Sequence, residues 1–382
     1  MPDVATGHDL TSAWFAAVGD VVMHHRPAHI SPRLIELLTS AETTLANVES
    51  PLTRRGVPAE KAIVQRSHPD RAGDVAALGV DVATVANNHL LDYGPDGMAD
   101  TLAALTRAGV APVGAGQDDA AARAATTRTT PSGSVSVIGL SAALPPGFAA
   151  APDRPGVAPL RVLQHVAVDP ALAAEQPGMA PYVHTSVVPA DLDAACAVVT
   201  EARATADLVV VAVHWGVPHG FAAPSYGQLA EYQRPAGHAL VESGAHLVIG
   251  HHPHEVHPVE IHGGGLIAYS VGNFMFHAWS DLAGDGSPDA TLPVRIPAAP
   301  YRSTFGDEVT RDSVVVLVER VDGDSRGQLA VRFVPTTMTT GEPVLATGEH
   351  ARAVIERLGA DITRRDDVLP DTTIGEVHID HG

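Results

Sequence analysis

The sequence predicts an α/β fold, and three observations lead to it. Short apolar runs rich in β-branched residues recur along the chain, as strands buried on both faces require; helical patterns separate them; and five of the runs stop abruptly at oxygen or imidazole side chains. Alternation of strand and helix favours parallel pairing in a helix-covered sheet.

Residues 14–18 read as a strand ending in Gly19-Asp20. A helix is expected over 32–38, then a strand over 43–45 that leads into Asn47-Val48-Glu49. A second helical pattern, 70–78, precedes the strand 80–86, which delivers Asn87-Asn88-His89. Asp96 is placed to cap a helix over 96–108, and Gly109 to end it. Residues 135–140 supply another strand. From 145 to 189 the chain is rich in Pro, Ala and Gly with weak periodicity, the pattern of an insertion or lid. A helix over 192–204 leads to the strand 208–213, which ends at His214-Trp215-Gly216. After a helical stretch, 226–243, stopped by Gly244, the run 245–249 opens onto Gly250-His251-His252-Pro253-His254. Residues 256–261 and 266–271 pair about Gly263-Gly264-Gly265 and lead into Gly272-Asn273-Phe274. A second loose stretch, 277–305, precedes a strand pair, 313–318 and 329–334. A helix over 350–358 and an acidic tail complete the expectation for 341–382.

The 382 residues carry a formal charge of −20, from 44 acidic and 24 basic side chains. Phosphate-backbone binding needs a basic face, so nucleic acid is excluded as a partner. The acid excess reads first as a soluble surface, and a polyanionic substrate would need locally bound cations to offset it. Residues 1–13 lack the basic start and apolar stretch of a signal peptide, and no apolar run approaches the ~18 residues of a membrane span, so a cytoplasmic protein without a membrane anchor is expected. The single cysteine, Cys196, excludes an intramolecular disulfide.

The crowding of three imidazoles at 251–254 gains nothing from packing, and three protonated rings would repel one another. Metal ligation explains it, provided that oxygen or nitrogen ligands converge from the ends of the other strands.

In their order, Gly19-Asp20, Asn47-Val48-Glu49-Ser50-Pro51-Leu52, Ala86-Asn87-Asn88-His89 with Asp92-Tyr93-Gly94, His214-Trp215-Gly216, Gly250-His251-His252-Pro253-His254 and Tyr269-Ser270-Val271-Gly272-Asn273-Phe274 closely resemble the CapA-like family. That family is named for poly-γ-glutamate capsule synthesis and belongs to the calcineurin-like metallophosphoesterase superfamily. The resemblance spans residues 14–276. It implies a four-layer α/β/β/α sandwich of two mixed sheets, with a single catalytic domain over 14–340 that includes the 145–189 lid and a 277–305 loop insertion.

The resemblance also implies one or two divalent transition metal ions, Mn, Fe or Zn. Asp20 would bind the first metal, Glu49 would bridge, Asn88 and His214 would bind the second, and His252 and His254 would each bind one. His89 stands in the place of the catalytic imidazole, with Asp92 to orient it. Val22 occupies the position where the superfamily commonly has a further His ligand, so His24, His25 and Asn47 are alternatives for the first metal and a one-metal site stays open. His251 is an alternative to His252, and Asn273 is a minor candidate. Arg54, with Arg55, Lys61 and Arg66, is a candidate contact for an anionic substrate, with plain solvent exposure as the other reading. The helix-region His238 reads as an ordinary histidine.

The leading expectation is a soluble metal-dependent hydrolase of a phosphoester, using metal-activated hydroxide with His89 as general acid. Two alternatives stay open: hydrolysis or rearrangement of an amide or γ-glutamyl bond in small-molecule or polyglutamate metabolism, and a non-catalytic accessory or binding role in capsule synthesis. The expected partner is a small-molecule, phosphoester or γ-glutamyl substrate, and the oligomeric state is left open.

Overall fold

The structure is a computed structural model that describes residues 10, 13–61, 63–178, 182–216, 229–277, 308–321 and 327–380. The expected 277–305 loop lies outside the described residues apart from His277, as does the start of the 226–243 stretch.

The chain alternates strand and helix from the start: β1 (Phe15–Val22), α1 (Pro32–Ser40), β2 (Thr44–Val48), α2 (Arg71–Ala77), β3 (Val82–Thr84), α3 (Gly94–Arg107) and β4 (Ala111–Val113). It continues through β5 (Ala115–Gly116), α4 (Asp119–Arg123), β6 (Thr126–Thr130), β7 (Gly133–Ser141) and β8 (Gly156–Val157). The stretch expected as an insertion adds β9 (Val162–Ala167), α5 (Pro170–Glu175) and β10 (Tyr182–Val187). Then follow α6 (Pro189–Arg203), β11 (Leu208–His214), α7 (Gln233–Glu242), β12 (Leu247–His251), β13 (Val259–His262), β14 (Gly265–Ala268) and β15 (Asn273–Phe276). The C-terminal part holds β16 (Asp312–Arg320), β17 (Gln328–Thr339), β18 (Glu342–Leu345), α8 (Gly348–Glu356), β19 (Thr363–Leu369) and β20 (Thr372–Asp380).

Both main sheets are mixed. The ten-stranded sheet runs β19-β20-β17-β16-β1-β2-β3-β4, with β15 also on β1 and β18 also on β17. Its β1–β2–β3–β4 half is parallel, and its β16–β17–β20–β19 half is antiparallel. The six-stranded sheet runs β13-β14-β12-β11-β7-β6, parallel in the middle with an antiparallel strand at each edge.

Burial follows the strand period of two. Phe15 and Ala17 of β1 join Val210, Ala212, Ile249 and Val137 of the other sheet in one apolar cluster. Ala16 and Val18 face the other way, onto Leu34 and Leu37 of α1, Val75 of α2 and Met98 and Leu105 of α3. On the second sheet Val209, Val211 and Val213 face Val199 of α6 and Leu240 of α7. Each Val, Leu, Ile, Phe or Met among these contributes about 1.5–3 kcal/mol when fully buried. This double-sided burial is why the strands read as continuous apolar runs, and parallel pairing brings their C-terminal ends to the same edge of each sheet.

Three expectations need correcting. Asp96 does not cap its helix: α3 begins at Gly94, whose φ of 67° turns the chain, and Pro95 pre-sets the first turn, so Asp96 lies inside that turn. The strand expected to end at Ile249 runs on to His251, which pairs with His214 in parallel register. The segment 341–382 is not a helix followed by a tail, because β18 and β20 both pair with β17. In β20 Ile374, Val377 and Ile379 are buried, Glu376 is half-buried in ion pairs with Arg332 and Arg365, and His378 and Asp380 are exposed, so these charged residues belong to a paired strand.

The β9–β10 pair forms its own two-stranded sheet, with Leu163 47% and Val166 63% exposed. With so little burial on either face, it gives no clear period in the sequence. Among the described residues no helix is long and apolar enough to cross a membrane.

Candidate metal centre

Asp20 is aimed by glycines on either side of its backbone. Its N–H donates to the Gly272 carbonyl at 3.0 Å, and a Cβ on Gly19 would lie 2.0 Å from that same oxygen. A register shift between Asp20 and Val21 bends β1 at this point. Across the sheet, Asn47 pairs with Asp20 and donates from Nδ2 to Asp20 Oδ1 at 2.8 Å. Glu49 follows, its N–H bound to the Val21 carbonyl at 3.0 Å.

Asn87 fixes the next turn. Its Nδ2 donates to Asn47 Oδ1 at 3.0 Å and to the Val48 carbonyl at 2.9 Å, and its Oδ1 accepts the N–H groups of His89 and Leu90 at 3.1 and 3.0 Å. Asn88 and His89 are therefore held in place by a neighbour that the sequence reading left without a role. An Asx-type turn after a buried strand is the signal that would have found it.

The side chains converge on Glu49. His214 Nε2 is 2.9 Å from Asn88 Oδ1 and 3.4 Å from Glu49 Oε1. His254 places Nδ1 3.2 Å from Asp20 Oδ2 and Nε2 3.7 Å from Glu49 Oε1. The rings of His214 and His252 lie 4.6 Å apart. Ligand atoms within 4.8 Å of one another form two groups, Asp20–Glu49–His254 and Glu49–His214–His252, which share Glu49. His252 and His254 reach these positions with φ of 95° and 59°, left-handed conformations that side chains with a Cβ rarely adopt.

The electrostatics fit a cation. Glu49 is fully buried, and neither carboxylate oxygen takes a hydrogen bond from the described residues. Burial pushes its carboxyl well above the usual range, beyond what the His254 charge offsets. Burial also acts to raise Asp20, yet its hydrogen bond with His254 and the charges of His254, His251 and His214 hold it below the usual range. For His254 burial works downward, but the Glu49 charge and the Asp20 contacts outweigh it and bring the imidazole up to about 9. Burial takes His214 well below its usual value. Carboxylate, amide and imidazole donors together suit Mn, Fe or Zn better than Ca. The residues present fit a divalent metal.

The remaining candidates divide clearly. Asn47 props Asp20, and Asn273 holds His254, with Oδ1 2.8 Å from His254 Nδ1 and Nδ2 donating to the carbonyls of His254 and Thr310 at 3.2 and 2.9 Å. His251 turns away from the two groups, its Nε2 3.3 Å from the Val18 carbonyl, and burial lowers its pKa. His24 Nε2 lies 3.1 Å from Gln65 Oε1, and His25 stacks on His277 at 3.7 Å, so neither joins the cluster. Arg54 is exposed; Arg55 pairs with Asp100 at 2.6 Å, and Arg66 lies over the Tyr93 ring at 4.6 Å.

His89 Nδ1 is 2.6 Å from Asp92 Oδ2, and burial lowers its pKa although Asp92 opposes. Lys61 turns inward onto this pair, its Nζ 2.6 Å from Asp92 Oδ1. His238 joins Glu260 and His262 in a half-buried group whose two rings stack 3.6 Å apart and 2° from parallel, each imidazole facing a carboxylate. Parallel stacked rings direct their lone pairs into separate planes, unlike the tilted rings around Glu49.

The family model described as bacterial capsule synthesis protein PGA_cap matches residues 12–278, which include every residue of this cluster. The chain belongs to this CapA-like family. Among its relatives, a "Probable polyglutamine synthesis accessory protein" of Mycobacterium tuberculosis is 35% identical over 240 residues, 62% of this chain and 56% of the relative. The "PGA biosynthesis protein CapA" of Bacillus subtilis is 27% identical over 288 residues, 72% of this chain and 66% of the relative. The matched region thus spans little more than half of the first relative's length. A solved structure, the calcineurin-like phosphoesterase YfkN from Bacillus subtilis, aligns over 96% of this chain and 90% of its own at 14% identity and a TM-score of 0.34.

Proposed function

We propose that this PGA_cap member is a metal-dependent hydrolase acting on a phosphoester, with a dinuclear centre at the edge of a four-layer α/β/β/α sandwich. One observation supports it above the rest: Glu49 belongs to both ligand groups, as a bridging carboxylate must. Asp20 and His254 would hold one ion, Asn88, His214 and His252 the other, with Glu49 between them. Divalent cations bound there supply Lewis-acid polarisation of a phosphoryl oxygen and an activated water.

The chain's own groups do the rest. Asn47 and Asn273 orient Asp20 and His254. Asp92 accepts the Nδ1 proton of His89, so Nε2 is the nitrogen left to exchange a proton with the leaving oxygen, a tautomer assigned from the hydrogen-bond partners. The test is a substrate panel of phosphomonoesters, phosphodiesters and γ-glutamyl peptides with metal-loaded protein. Turnover confined to phosphoesters supports the reading; turnover of γ-glutamyl peptides alone replaces it with amide hydrolysis.

The names of the relatives favour a second reading, an accessory role in polymer synthesis. Loaded protein that turns over nothing in the panel yet co-purifies with a synthase would establish that role instead.

A further inference from the structure

Lys61 is the only lysine in the chain, and its side chain is 17% exposed. Immobilising and burying an ammonium group is costly, so its partners must compensate. Its Nζ lies 2.6 Å from Asp92 Oδ1, donates to the carbonyl of Asn88, and stands 5.3 Å from the centre of the Phe148 ring. It is also 3.3 Å from His89 Nδ1.

The donor inventory decides what these contacts mean. An ammonium only donates, and a carboxylate only accepts. Asp92 Oδ2 lies 2.6 Å from His89 Nδ1 and accepts the Gln65 N–H at 2.6 Å, while Oδ1 faces Lys61. Nδ1 of His89 must therefore bear the proton it gives to Asp92, and its approach to Lys61 is a contact between two donors. Lys61 holds the opposite oxygen of the same carboxylate and the backbone one residue before His89.

We propose that Lys61 is a positioning residue that, by pairing with Asp92 and the Asn88 carbonyl, fixes the 88–92 turn and locks His89 with its proton on Nδ1, leaving Nε2 without one. The tautomer claim goes beyond the hydrolase reading and stands without it; only the kinetic arm of the test rests on that reading.

The experiment uses the full chain with ¹⁵N-labelled histidine, free of metal, and long-range ¹H–¹⁵N spectra in which the His89 signals are identified by their loss in His89→Gln. Wild type should show His89 as the pure Nδ1–H form. Lys61→Met should give a mixture of tautomers, while Lys61→Arg, which keeps the charge, should retain the wild-type pattern. Uptake of Zn²⁺ by each variant reports that the site has folded, and Lys61→Gln serves if Lys61→Met does not take up Zn²⁺. A wild-type pattern in a folded Lys61→Met or Lys61→Gln protein overturns the proposal. With loaded protein and bis-p-nitrophenyl phosphate, kcat should fall about 10–100-fold in Lys61→Met with KM held within about twofold; unchanged kcat also overturns it. If the wild type hydrolyses no phosphomonoester or phosphodiester of the panel, the hydrolase reading fails, and the spectra alone decide the role of Lys61.

Discussion

Nδ1 of His254 lies 3.2 Å from Oδ2 of Asp20, a buried pair assembled from β1 and the turn after β12. Its charge is the source of a pH dependence. With its pKa raised to about 9, His254 is protonated in the metal-free protein at neutral pH, and that proton must leave before the ring can bind a cation. Glu49, also raised, competes in the same direction, whereas His214, lowered by burial, does not. Metal affinity should therefore rise with pH from about 7 until it levels near 9, and binding below that point should release protons. Calorimetry in buffers of different ionisation enthalpy checks this, and affinity that is flat across the range would contradict it.

The same sign governs the contribution of His254 to the stability of the metal-free fold. Its raised pKa stabilises fully below the unfolded value of 6.5, and that contribution is lost as pH climbs through about 9. His254→Gln should flatten this limb of a urea-midpoint profile; an unchanged limb would assign it to another group.

Glu49→Gln separates stability from function. Removing a buried carboxylate that takes no hydrogen bond from the described residues should stabilise the metal-free protein by about 1–3 kcal/mol, read as a higher urea midpoint. The same change should cost both metal ions, since the shared ligand is gone. Loss of stability together with normal metal content would show that Glu49 is structural.

Asn273→Ala removes the contact that orients His254 and the bonds to two carbonyls. Metal affinity should drop about 10–100-fold with the fold intact, as measured by competition with a chromophoric chelator. Unchanged affinity would mean that Asn273 serves only the backbone.

Deletion of residues 363–382 tests the C-terminal strands. β20 covers an edge of β17, and its loss should leave an exposed edge and an aggregating protein. A soluble, metal-binding truncation would return this segment to the status of a tail.

Much of the candidate site could be read from the sequence because parallel strands buried on both faces stand out as apolar runs, and the candidate ligands sit where those runs stop. The choice between His251 and His252 could not be read, since adjacent identical residues differ only in where the strand ends: β12 runs one residue into the cluster and turns His251 back onto Val18. β20 was hidden by charges on its outward face, and its partner β17 gives no local signal of a strand to come. Lys61, in a loop of Pro, Glu and Ala, looked solvated because its partner Asp92 lies beyond another strand.

Metal content per chain tests the central claim most directly. Elemental analysis of protein purified without added metal or a polyhistidine tag should find two equivalents of Mn, Fe or Zn in the wild type, falling in both His252→Ala and His254→Ala. A chain that holds no metal even after reconstitution would contradict a dinuclear centre around Glu49.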